Sequence, residues 1–76
     1  MAMTQQEAIA LVRQILAARD DDELTQIISL NLSRVDGTFF GVLNASVQQL
    51  QREGKPNIAR ALQAVGDRML RMKTLI

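Results

Sequence analysis

Apolar residues recur along this chain at helical spacing, in four blocks separated by short polar breaks. In the first block Ala8, Ile9, Leu11, Val12, Ile15 and Leu16 form one broad stripe, with Gln6, Arg13 and Gln14 turned away from it. Thr4 stands three residues before Glu7, the spacing of a reciprocal capping box, so the pattern predicts a helix over residues 4–18. A second helix is predicted over 21–30, with Leu24, Ile27 and Ile28 inward. After a connection from Asn31 to Asp36, the third spans 37–53 and turns Phe39, Phe40, Leu43, Val47 and Leu50 inward. Asp36 is placed to cap it by accepting from the Phe39 N–H.

The fourth block is the most regular. Ile58, Leu62, Val65, Met69, Met72 and Ile76 alternate steps of four and three, an a/d seam along a helix predicted over 56–75. Gly54 suits the left-handed position just past the third helix, and Pro56 suits the first turn of the fourth. So short a connection dictates an antiparallel hairpin. The expected fold is therefore all-α: one four-helix domain over residues 1–76, ending in that hairpin.

A chain of 76 residues buries only about 60% of its unfolded surface. Small domains of this kind lean on disulfides, metals or partner chains. Cysteine and histidine are both absent, which removes disulfides and structural zinc and leaves helix packing or association. A hydrophobic content of 47% argues against disorder. The opening residues show no basic-then-apolar signal pattern. The uncharged stretch from Gly37 to Gln51 is too short and polar to span a bilayer. No membrane association and a cytoplasmic location are the resulting expectations, under which the Asn31-Leu32-Ser33 and Asn44-Ala45-Ser46 glycosylation patterns are coincidental.

The net charge of +1 conceals a split. Residues 1–38 carry three arginines against six acids, a net −3, while residues 39–76 carry six cations against two acids, a net +4. The two halves can attract within one fold or meet a second molecule.

Catalytic chemistry has little to work with. No histidine exists to activate Ser29, Ser33 or Ser46. Lys55 and Lys73 leave a Ser–Lys pair open by composition, but no spacing supports one. Asp20-Asp21-Asp22-Glu23 lacks the alternation of a calcium loop, and fits a helix cap and acidic first turn instead. Gly37 to Gly41 lacks the Lys-Ser/Thr ending of a phosphate loop. The two glycines are expected to let another backbone approach the start of the third helix. No enzyme activity, cofactor, metal or small-molecule substrate is therefore expected. Nucleic-acid recognition through the third helix is disfavoured, because Thr38 to Gln51 contains no Lys or Arg and the sole aromatics are the core-like Phe39 and Phe40. A backbone contact through Arg60, Arg68 and Arg71 of the fourth helix stays open, to nucleic acid or to another acidic partner.

Residues 39–72 resemble a degenerate tetratricopeptide-type helical hairpin. Gly54-Lys55-Pro56-Asn57-Ile58-Ala59 follows that family's inter-helix turn. Ala59 falls on its small position, and Leu43 and Leu50 on large ones. Val47, Gln63 and Arg71 depart from the pattern, standing where the family has a small residue, an aromatic and a closing proline. The whole chain also resembles helical segments that flank such repeats in large bacterial signalling proteins. The resemblance implies a surface that binds proteins. The expected function is thus a helical interaction or assembly module, acting on a protein partner or as a homodimer. Its contact surface is expected at the end of the fourth helix: Met69, Met72, Leu75 and Ile76, with Arg60, Arg68 and Arg71 nearby. Antiparallel pairing would set Leu43 opposite the region of Gly66 to Met69, and Asp36 near Lys73 or Thr74.

Overall fold

The computed structural model describes residues 2–74. It is all-α, with α1 at Gln5–Ala17, α2 at Asp21–Asn31, α3 at Gly37–Arg52 and α4 at Pro56–Thr74. The starts of all four helices and the ends of α1, α2 and α3 fall within one residue of their expected places, and the starts of α1, α2 and α3 are fixed by local caps. The Thr4 hydroxyl accepts from the Glu7 N–H at 3.1 Å and the Glu7 carboxylate accepts from the Thr4 N–H at 2.9 Å, closing the capping box. Asp20 caps α2 by accepting from the Glu23 N–H at 2.8 Å. Asp36 caps α3 by accepting from the N–H groups of Thr38 and Phe39.

The connection between α2 and α3 is more ordered than its polar sequence suggests. Leu32–Arg34 forms a 3-10 turn, and Val35 behind it is fully buried. Met3, ahead of α1, is buried too, and its N–H donates to Asp36 at 3.0 Å. That bond ties the start of α1 to the start of α3. Leu16 and Leu50, near the other ends of the two helices, line one groove, so α1 and α3 run side by side in the same direction.

α4 returns antiparallel to α3. The turn closes with the Lys55 N–H donating to the Leu50 carbonyl at 2.9 Å and the Gly54 N–H to the Gln51 carbonyl at 3.1 Å. Gly54 takes φ +77°, the left-handed conformation that this closure needs. Nothing lies within 4 Å of where a Gly54 side chain would begin, so the penalty for replacing it comes from the backbone alone. Gly54→Val is expected to cost about 1 kcal/mol or more, and an unshifted denaturation midpoint would refute the strain.

Farther along the hairpin Leu43 packs against Gly66, and Lys73 reaches the carbonyl of Val35. Both contacts confirm the expected register. The buried face of α4 differs from the seam of large residues. Ala59, Leu62, Gly66 and Met69 are buried, whereas Ile58 is 45% exposed and Val65 and Met72 are half-buried. Small residues at Ala59 and Gly66 let α4 lie close to α3, which rotates Ile58 towards solvent. The rest of the core comes from Ala8, Leu11, Val12 and Ile15 of α1, Ile28 of α2, and Phe39, Leu43 and Val47 of α3. Of the inward sets expected from the sequence, Leu24, Ile27, Phe40 and Leu50 are half-buried at the margin. Ile9 and Leu16 stand out at the edge of the α1 stripe.

Candidate interaction face

Among the described residues, those expected to make the contact surface of α4 do not form one surface. Met69 is 0% exposed and belongs to the core, where a partner cannot reach it. The sequence reading of Met69 as a contact residue is corrected accordingly: it lies on the same turn sequence as Gly66 and Leu62, facing inward. Met72 is half-buried against that core. Leu75 and Ile76 lie outside the described residues. Arg68 turns towards α2, its guanidinium 3.4 Å from the Thr25 hydroxyl and 3.8 Å from the Asp21 carboxylate. Among the described residues that is the one ion pair joining the acidic and basic halves of the chain. Arg60 and Arg71 remain on the solvent side with Asp67 between them in sequence.

Lys73 is also committed within the chain. Its ammonium donates to the carbonyl of Val35 at 2.6 Å and to that of Leu32 at 3.3 Å, closing α4 over the α2–α3 connection. The Ser46 hydroxyl donates back to the Val42 carbonyl of its own helix at 2.9 Å. Ser46 and Lys73 thus have structural partners at separate places in the fold. Among the described residues no other part of the chain comes within 4 Å of where a side chain at Gly37 or Gly41 would begin, which corrects the expected backbone approach. Gly66 is the glycine that performs that service.

The two carboxylates with displaced titration are also structural. Asp36 is held below its ordinary pKa first by the Met3 N–H, then by those of Phe39 and Thr38, with the Lys73 charge adding to them. Glu7 is lowered by the Thr4 N–H, then by the Thr4 hydroxyl, then by Arg34, whose guanidinium is 2.6 Å away. A carboxylate whose folded pKa lies below its unfolded one adds stability above the ordinary carboxylate range, and that stability disappears as pH falls through the folded value. The thermal midpoint should therefore hold near neutrality and drop below about pH 4. Asp36→Asn should lower the midpoint at pH 7 and flatten the acid limb. An unchanged acid limb would show that Asp36 is not one of its sources.

The uncovered apolar surface lies elsewhere. α1 and α3 leave a groove between them, with Ile9 and Leu16 on the α1 rim and Val42, Ala45 and Gln49 on the α3 rim. A second groove runs between α1, α2 and α4, with Ile15 and Leu62 as floor and Leu16, Leu24, Ile58 and Val65 around it. No charged residue lines this second groove, and Asn57 is its one polar side chain. Leu16 lines both, so the two form one bent apolar surface. Ile9, Leu16 and Ile58 are 36%, 45% and 45% exposed along it. The sequence pattern placed Ile9 and Leu16 on the α1 stripe and Ile58 on the α4 seam, and singled out none of the three as a contact residue. The missed signal is the width of the α1 stripe, which is broader than a helix contacting two neighbours can cover.

Among the described residues no group of three or more acids could hold a metal ion, and no helix is long and apolar enough to cross a membrane. Comparison of the chain with protein-family models, curated proteins and solved structures finds no match.

Proposed function

We propose that this domain is a non-catalytic protein–protein interaction or assembly module, and that it docks through the bent apolar surface centred on Leu16. The observation that carries this reading is that Leu16 lines two adjoining grooves, with the exposed Ile9 in one and the exposed Ile58 in the other. Single exposed apolar residues, such as Leu30 on α2, are ordinary on a protein surface. A contiguous set with a charge-free groove beside it has the composition of the centre of an interface. The resemblance of the α3–α4 hairpin to tetratricopeptide-type units is consistent in kind, since a unit of that type stacks its apolar faces on neighbours.

The basic face of α4 supports a nucleic-acid contact less well. Arg68 and Lys73 have partners within the chain, and Arg60 and Arg71 are left with Asp67 between them. Phosphate binding draws its affinity from several unpaired cations acting together.

The test is the double variant Leu16→Glu, Ile58→Glu. Both side chains are half in solvent, so the fold should persist in far-UV circular dichroism. Binding to protein partners should be lost. Partner capture equal to that of the unaltered chain would overturn the assignment of this face.

A further inference from the structure

We infer that the α1–α3 groove receives a second copy of this chain, related by a two-fold axis along the groove, with Arg13 of each copy directed at Glu53 of the other. This inference rests on the docking face proposed above and names its occupant. Charge complementarity carries the choice. Two charged residues line the groove, Arg13 on the α1 rim and Glu53 at the end of the α3 rim. They have opposite signs and sit on opposite rims. Among the described residues Arg13 has no ion-pair partner; the Glu53 carboxylate accepts from the Gln49 amide at 2.9 Å through one oxygen, and its other oxygen has only a 4.0 Å contact with the exposed Lys55. The groove is therefore neutral in sum and complementary to itself.

The direction of the helices then fixes the arrangement. α1 and α3 run the same way, so a two-fold axis parallel to them lays each α1 rim along the α3 rim of the other copy. The Met3–Asp36 bond sets the level of one helix against the other. By that register Ile9 stands level with Val42, Leu16 level with Gln49, and Arg13 about 10 Å short of Glu53 along the axis at 1.5 Å per residue. The combined length of an arginine and a glutamate side chain covers that offset. An axis across the groove would instead set α1 on α1 and α3 on α3, which leaves Arg13 and Glu53 on different rims with neither facing the opposite charge.

The surface beside the groove agrees. α3 carries no charge from Gly37 to Gln51, although Gly41, Ala45, Gln48 and Gln49 are exposed. In this arrangement the uncharged length of α3 is what the α1 rim of the other copy lies along, so no like charge along it opposes Arg13. Isologous dimers of this kind are the commonest closed assembly.

Sedimentation equilibrium of the full chain at micromolar concentration, in low salt, reads the association directly. Arg13→Glu and Glu53→Arg are both exposed changes, and melting curves check that each variant folds. Each alone creates two like-charge contacts per dimer and should weaken association at least tenfold. An equimolar mixture of the two single variants should associate again, because every reversed charge then meets its opposite. The chain carrying both changes should do the same. A wild-type chain that stays monomeric at every concentration overturns the inference, as does a dimer indifferent to both reversals. If the wild type is monomeric while Leu16→Glu, Ile58→Glu still abolishes capture of other proteins, the docking face stands and its occupant is a different protein. If that double variant captures partners unchanged, the docking face itself is wrong.

Discussion

Phe39→Ala should leave this domain with little or no cooperative melting transition. Phe39 is 0% exposed and is the largest fully buried side chain among the described residues. It sits in the first turn of α3, beside the cap at Asp36, where the starts of α1 and α3 are tied together. Its ring meets Phe40 edge to face, with centroids 5.5 Å apart and planes at 74°. Truncating a core phenylalanine to alanine costs about 3–5 kcal/mol through lost burial and the cavity left behind. A domain of this length has a total stability of roughly 4–11 kcal/mol. At about 4–8 °C per kcal/mol for a chain of this size, the melting midpoint falls by about 12 °C or more. Phe40→Ala is the control, since Phe40 is half-buried and should lose less. Equal losses from the two would mean that the cavity at Phe39 collapses or that the core is centred elsewhere.

What could be read from the sequence follows how far each feature depends on distant residues. The helix ends were legible because caps are local. Thr4 with Glu7, Asp20, Asp36, and Gly54 with Pro56 each act within a few residues. The hairpin register was legible for the same reason, since a short turn fixes both strands of the count. The faces were less so. A reading by hydrophobicity favours Ile58 over Ala59, but α3 lies close enough to α4 that the small residue is the one that fits between them. Val35 and Met3 sit outside the α-helices, where periodicity gives no signal, yet both are core. The candidate face was the least legible part. Whether Ile9 and Leu16 are covered depends on where α2 and α3 settle against α1, a tertiary outcome that the α1 stripe alone does not contain. The expected surface at the end of α4 counted apolar residues without allowing for Met69 being consumed by the core.

Gly66→Leu should be nearly as damaging as the loss of Phe39, for the opposite reason. A Cβ at position 66 would lie 2.8 Å from one methyl carbon of Leu43 and 3.3 Å from the other. Leu43 is itself buried, so its freedom to move aside is limited. Glycine inside a helix costs about 1 kcal/mol relative to alanine, and here close packing of α3 on α4 offsets that cost. Gly66→Ala therefore sets a helix-propensity gain of about 1 kcal/mol against a contact that Leu43 must yield to, and its net effect should be small. A leucine at the site needs volume that Leu43 already fills. Forcing it in drives the hairpin apart, with a loss of about 3 kcal/mol or more. Leu43→Ala alone should cost about 2–5 kcal/mol by leaving a cavity. Combining Leu43→Ala with Gly66→Leu moves the bulk from one helix to the other, and the double variant should recover about 2 kcal/mol relative to the sum of the single losses. Denaturant unfolding of the four proteins measures that coupling. Simple additivity would show that residues 43 and 66 do not compete for the same space.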